Sequence, residues 1–355
     1  MRRGSRPSWV PTARQVLVHV NHCLLLWYVC IVWMVLGVRI DTLQDNRIDA
    51  VDVRDIVVTS AVFLAWVGLT LWLYRWAARP PSRRSLVRQA RQTLTALANG
   101  FEPEPTSSAP FGSLMTARGA RAAVYPRFVA PGVEFGNLRR DGRPVRTWRY
   151  AAVALPAPLP HFVLDSSEAR GGDVPRGVER GQRLSLEGDF DRWFRLHVPS
   201  EYQTDALFVF TPDLMAALID DARSWNVELV DDRVVFFAPG DADFSDEDVW
   251  RAIEALFARV VPLIAERSAR YLDERVASQT PEARVAAMTA AMAKGISPVR
   301  LEPRIDPHGR RLHVRRRNAV LSAIGAVGWF LALVFLYVVP GLFAFAGFMS
   351  VVDGR

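Results

Sequence analysis

The sequence predicts an α-helical membrane anchor of three transmembrane helices carrying an α+β domain on the cytoplasmic side. Three observations predict it. Three long apolar runs, at 16–38, 56–74 and 319–339, carry no formal charge. Arginines crowd one flank of each run. Between 120 and 300, strand-like segments come first and helical ones later, the order of an α+β domain. About 20 residues, at ~1.5 Å each, cross the ~30 Å hydrocarbon layer. All three runs reach that length, whereas a buried core helix seldom needs so long a charge-free stretch.

The N-terminus, 1–15, carries Arg2, Arg3, Arg6 and Arg14. A basic start followed by an apolar run also describes a secretory signal, but such signals use an apolar core of roughly 7–15 residues. Here the run Val16–Val38 is longer and passes through Leu36-Gly37-Val38 into Arg39 with no small-x-small cleavage pattern. An uncleaved anchor is the expectation. The loop 39–55 has five aspartates (Asp41, Asp45, Asp49, Asp52, Asp55) against three arginines, so it belongs outside. After the second run, Ile56–Tyr74, come Arg75, Arg79, Arg83, Arg84, Arg88 and Arg91, and before the third come Arg310, Arg311, Arg315, Arg316 and Arg317. By the positive-inside rule the N-terminus and everything from 75 to 318 face the cytoplasm of a bacterial plasma membrane, and the tail 340–355 lies outside or at the interface. Pro340-Gly341 interrupts the third run, and the apolar residues that follow to Val352 could extend it, tilt it or lie at the interface. Trp72 and Trp76 suit the aromatic belt.

The net charge of +7 therefore belongs to membrane flanks, where anionic headgroups are the partner, and gives no reason to expect nucleic acid. Lys294 is the single lysine among 44 basic residues, a compositional bias without mechanistic weight.

Residues 75–100 form a basic juxtamembrane segment in which Ser82–Asn99 reads as an amphipathic helix ended by Gly100. Leu86, Ala90, Leu94 and Leu97 share its stripe, which either lies on the inner leaflet or packs on the next domain. A Pro/Ser-rich linker covers 101–119, with EPEPTSSAPFGS at its centre. In the domain 120–300, strands are predicted at 127–135, 145–155, 161–164, 190–198 and 206–210. Thr211-Pro212 opens a helix with an N-cap and a proline at its first position. Val227–Val230 and Arg233–Phe237 read as a tight hairpin about Asp231-Asp232. Ser245-Asp246-Glu247-Asp248 caps a long amphipathic helix, and a last helix runs from Thr280-Pro281 to Gly295. The loop 166–182 is a polar insertion, and 301–318 a basic linker.

L-E-G-D-F-D-x-x-F (Leu186–Phe194), A-L-F-V-F-T-P-D-L-M (Ala206–Met215) and HFVLDSS (His161–Ser167) carry a resemblance. Over roughly 125–265 the chain is similar to a domain-of-unknown-function family of bacterial, actinobacterial in type, multi-pass membrane proteins. The resemblance implies a pair of N-terminal spans, and it brings no activity, substrate or catalytic residue. Physically the motif reads as a strand-to-helix junction with Phe190, Phe194, Leu207, Val209 and Met215 inside. Glu187 and Asp189 are the carboxylates in it that a ligand could meet.

The metal pattern worth weighing is HVNHC, with His19, His22 and Cys23 on one helical face and Cys30 a heptad on. Polar side chains near the end of a span are cheap, and no further ligand set completes the site, so interfacial packing is the simpler reading and no metal or cofactor is expected. The two cysteines, seven residues apart on one helix, cannot bridge. Asp241–Trp250 imitates a calcium loop but has Asp246 where the turn needs glycine and Ala252 where a bidentate glutamate belongs. Asp220-Asp221 and Asp231-Asp232 read as solvated acids, and His161, His197, His308 and His313 are scattered. No nucleophile elbow, phosphate loop or H-E-x-x-H is present. The sequence thus points to a membrane protein presenting its domain to a protein or ligand partner, as scaffold or sensor. The alternative is a membrane-anchored enzyme acting on an envelope or lipid precursor; a channel or transporter subunit is disfavoured because no span carries a central charge.

Overall fold

The structure is a computed structural model that describes residues 13–43, 50–78, 82–106, 111–116, 122–140, 146–169, 178, 180–186, 188–296, 302–314, 327–328, 330–331 and 334–353. These fall into two compact units, a helical one (13–82 with 327–353) and an α+β one (83–314).

In the helical unit, α1 is Ala13–Leu43 and α2 is Ala50–Ala77. Within them Leu17–Val35 and Val53–Ala77 are long and apolar enough to cross a membrane. Apolar side chains surround both helices, so polar groups carry the specificity of their pairing. Asn21 Nδ2 donates to Thr70 Oγ1 at 2.8 Å, Trp66 Nε1 donates to Asn21 Oδ1 at 3.0 Å, and Tyr28 Oη donates to the Thr59 carbonyl at 2.9 Å. Moving up α1 from 21 to 28 thus moves down α2 from 70 to 59, which makes the pair antiparallel.

Most of the expected third span, 319–339, lies outside the described residues. Its described end is a π turn, Val334–Val338, that continues as α10, Val339–Asp353. Pro340-Gly341 therefore does not break the helix. A proline lacks the N–H that would bond the carbonyl four residues back, and the widened turn just before it absorbs that loss. Helix α10 packs along α1, and Gly347 permits the approach, because a Cβ there would stand 2.7 Å from the Met34 Cα. Trp27 of α1 meets Phe335 and Phe343 at ring separations of 4.8 and 6.3 Å. Among the described residues two helices reach spanning length, and the apolar Val339–Met349 is a shorter one.

The α+β unit begins with α3, Arg83–Ala98, ended by Gly100 at φ +82°. Its strands are β1 (Glu102–Pro103), β2 (Ala122–Ala130), β3 (Val133–Arg140), β4 (Arg146–Ser166), β5 (Arg183–Leu184), β6 (Phe194–His197) and β7 (Asn226–Pro239). All pair antiparallel in the order β1-β2-β3-β4-β6-β5, with β7 along the other side of β4. The β4–β7 ribbon is the spine, from Trp148↔Pro239 to Leu164↔Val227.

Five sequence expectations differ from the structure. The single strand expected at 127–135 is the β2–β3 hairpin, turned at Pro131-Gly132 with Gly132 at φ +73°. The two strands at 145–155 and 161–164 are one 21-residue strand, β4. The hairpin about Asp231-Asp232 is one strand, β7, with Asp231 at φ +52°. Both strands carry facing irregularities between Ala154 and Phe162, where alternation shifts phase. In β7, Val227 and Leu229 lie in the same core cluster as Val234 and Phe236, which an unbroken period of two forbids. A phase slip reads like a strand end. Last, the strand expected at 206–210 is helix α5, Gln203–Val209, and the one at 190–198 begins with a helical turn, α4 (Phe190–Trp193).

Helix α6 is Pro212–Asp221 with Thr211 before it, as expected. Next come α7 (Glu247–Ala255), a π turn (Leu256–Val260) and α8 (Val261–Arg270). Asp246, rather than Ser245, is the N-cap, accepting from Asp248 N. Pro262 follows this π turn as Pro340 follows the other. One sheet face packs against α5, α6 and α8 around Phe162, Leu214, Leu218, Phe236, Leu256 and Val260. At its β2–β3 end Phe128, Phe135 and Ala151 meet Ala96 of α3 with Phe244 and Ile253. The opposite face, with Trp148, Tyr150, Val235 and Phe237, is covered by Phe111, Met115 and Leu312. The parts of 101–119 and 301–318 that are described are thus packed against the domain, not free linkers.

Candidate functional site

The covered sheet face holds the most concentrated polar chemistry. Glu228 of β7 is opposite Val163 of β4, so His161, two residues back, is its diagonal neighbour on the same face. His161 Nε2 lies 2.9 Å from Glu228 Oε1. Ser113 Oγ donates to Glu228 Oε2 at 2.5 Å, and Leu114 N–H donates to Oε1 at 2.9 Å. Leu312 N–H donates to His161 Nδ1 at 2.8 Å, which assigns the ring proton to Nε2 and makes Glu228 its acceptor. Both carboxylate oxygens are thus engaged.

The residue types are those of a hydrolytic triad, but the wiring is not. The serine donates to the carboxylate and not to the imidazole, whose other nitrogen is occupied by Leu312. Ser113, His161 and Glu228 are 6%, 1% and 0% exposed. The arrangement is a clasp. It binds the turn 111–116 and the strap 302–314 to the β4–β7 ribbon.

A second clasp holds the same strap. Asp273 Oδ2 accepts from Tyr202 Oη at 2.5 Å and from Asp306 N–H at 2.9 Å. Arg275 donates to both Asp205 oxygens, at 3.2 and 2.9 Å, and its guanidinium lies 4.1 Å from the Tyr202 ring centre. Tyr271 Oη donates to Asp205 Oδ1 at 2.8 Å. Burial, then the hydrogen bond to Asp273, pushes the Tyr202 phenol well up, while burial and the Asp205 charge do the same to Tyr271. Gly309 lies against Tyr202 so closely that a Cβ would stand 2.3 Å from the ring. Gln182 bonds both sides of His313, and Arg311 pairs with Asp231 through both nitrogens at 2.9 Å.

Of the sequence candidates, His161, Asp231 and His313 take part in these contacts, and the other described ones do not. The His22 ring lies 5.2 Å from that of Tyr74 at a tilt of 46°, Cys23 Sγ is 3.6 Å from Tyr337 Oη, and His19 is exposed, so the three do not converge. Among the described residues no group of three or more His, Cys, Asp or Glu is placed to hold a metal. Asn21, between the two histidines, is the residue of that stretch that joins helices. Glu187 lies outside the described residues, and exposed Asp189 pairs with Arg192 at 3.2 Å. Asp221 pairs with Arg259, and exposed Asp220 remains apart from it. Asp243 accepts from Ser245 within the Asp241–Trp250 stretch, as a helix lead-in does. His308 bonds Asp306 at 2.9 Å. His197 has both ring nitrogens buried with no partner among the described residues, and burial, then the nearby Arg183 and Arg195, lowers its pKa to about 4.

The outer surface offers a different feature. Helix α9, Pro281–Ala293, is capped by Thr280 Oγ1, which accepts from Ala283 N–H at 3.2 Å. It turns Ala283, Ala287 and Ala291 inward. Val285, Met288, Met292 and Ile296, at helical spacing, are between 46% and 67% exposed. Gly295 at φ +63° lets Ile296 N–H return to the Ala291 carbonyl at 3.0 Å, which closes the stripe's end.

No family model and no curated protein matches this chain. A solved structure, the mycobacterial trehalose monomycolate transport factor A, TtfA, shares 14% identity over 50% of this chain and 92% of its own, with a TM-score of 0.34. A likeness of that degree leaves the function to be argued from the residues.

Proposed function

We propose that this is an integral membrane protein that holds its α+β domain at the cytoplasmic face of a bacterial plasma membrane and binds a protein partner there through the outward face of α9. The exposed Val285–Met288–Met292–Ile296 stripe carries the reading. Val285, Met288 and Met292 of α9, with Ile296 just past its end, form an exposed apolar row on the side away from Ala283, Ala287 and Ala291, and such a row suits an interaction surface. Methionine suits such a surface because its flexible, polarisable side chain adapts to a partner. The arginine-rich flanks at 75–91 and 310–317 and the acidic loop 39–55 support the sidedness. The stitched α1–α2 pair supports the anchor.

Photo-crosslinking in intact cells tests it, with a benzophenone amino acid placed at Met292 or, as control, at exposed Ser245. One discrete adduct from 292 and none from 245 is the expected result. Equal labelling at both, or none at 292, contradicts the reading.

A further inference from the structure

We infer that α3 is an interfacial helix whose leucine face lies on the anionic surface of the bilayer that holds α1 and α2, an inference that rests on the membrane-anchor reading above. The structure settles which side of α3 meets the domain. Gln92 and Ala96 are buried, Gln89 bonds Tyr125, and Ala96 packs in the cluster of Phe128, Phe135 and Ile253. At roughly 100° per residue these positions fall within about 60° of one another. Leu86, Val87, Ala90, Leu94 and Leu97 occupy the far side, and the four large ones are between 43% and 53% exposed. The helix docks with its small and polar side chains and holds its leucines outward, the reverse of a helix that serves only its own domain.

The charges say what covers that face. Arg84 and Arg91 flank it, Arg83 stands at its N-terminal end, and α3 contains no acidic residue. Two copies set face to face would bring those arginines together. An anionic headgroup layer pairs with them while the leucines enter the acyl boundary. Connection adds reach, since α2 ends at Ala77 and α3 starts at Arg83, a chain length of on the order of 20 Å. A bilayer that contains α2 is therefore within reach of the start of α3.

The test uses the full chain with Cys23→Ser and Cys30→Ser, labelled with an environment-sensitive fluorophore at one introduced cysteine. The sites are Leu94→Cys on α3, Leu64→Cys on α2 and Ser245→Cys as a solvent control. Nanodiscs of phosphatidylcholine, with or without phosphatidylglycerol, carry a shallow doxyl-lipid quencher. Leu64→Cys should be quenched in both, Leu94→Cys strongly in the anionic discs, and Ser245→Cys in neither. Each charge reversal among Arg83→Glu, Arg84→Glu and Arg91→Glu should lower the α3 insertion equilibrium by at least about fivefold. Quenching at 64 without quenching at 94 overturns the α3 inference and leaves the anchor standing. No quenching at 64 overturns the anchor, and the inference with it. A label at 94 shielded equally in detergent, together with a dimeric mass, assigns the face to a second copy and also overturns the inference.

Discussion

The strap 302–314 and the helix pair α3 and α9 invert the usual distribution of side chains. Under the strap, polar residues are inside: Ser113, His161, Glu228, Tyr202 and Asp273 are buried and mutually satisfied. On α3 and α9, large apolar residues are outside. The difference separates two jobs. Buried polar groups with every partner present fasten segments that the apolar core alone would not place. The exposed apolar stripes take no part in the clasps, and the proposals above give them to something outside the domain. Helices α3 and α9 then differ from each other in charge. The first is bordered by arginines with no acid, while the second mixes Glu282 with Arg284 and Lys294. That contrast is the ground on which we propose lipid for the one and protein for the other.

Breaking the clasp should have the largest effect. Glu228→Ala leaves the His161, Ser113 and Leu114 donors buried without an acceptor, and a loss of about 3–5 kcal/mol is expected in urea unfolding followed by tryptophan fluorescence. A loss near zero would show that the strap is not fastened there. Gly309→Ala drives a Cβ into the Tyr202 ring and should cost about 1–3 kcal/mol by the same measurement.

The His197 effect is smaller and depends on pH. Its folded pKa, about 4, lies below the ordinary value of 6.5, so the unfolded chain binds the proton first as pH falls. The stability that neutral His197 contributes is complete above about 6.5 and is lost as pH drops toward 4. Melting temperature against pH should therefore decline over that window, and His197→Phe should flatten the decline. An unchanged slope in the variant would mean that another group titrates there.

Least effect on stability should come from the helix faces. Met288→Ser with Met292→Ser should leave the unfolding midpoint within roughly 0.5 kcal/mol of the parent yet abolish the crosslink from a probe at Val285. A large destabilisation would move α9 to the structural side of the comparison.

Helix ends were legible in the sequence because their chemistry is local. Thr211-Pro212, Thr280-Pro281, the acids at 246–248, and Gly100 and Gly295 stand where the structure begins and ends helices. Strand lengths were not. Pro156, Pro158 and Pro160 and the pair Asp231-Asp232 look like punctuation, yet β4 and β7 run through them with matched phase slips. Residues 206–210 carry strand propensity that packing overrides, since Ala206 and Val209 serve the helical face of α5. The clasp had no local signal, because His161 and Glu228 are 67 residues apart and meet only through strand register. In His19–Cys23 the eye goes to the metal ligands, whereas Asn21 is the side chain that joins α1 to α2. The stripe on α3 was visible, but its direction was not, because only packing shows which side of an amphipathic helix is already taken.

The most direct measurement of the whole account is sidedness in intact cells. With Cys23→Ser and Cys30→Ser as background, a membrane-impermeant maleimide should leave Ser245→Cys unlabelled until the cells are permeabilised, and should label Gln44→Cys in the acidic loop at once. Labelling of Ser245→Cys from outside, with Gln44→Cys protected, would put the domain on the opposite face and contradict the account.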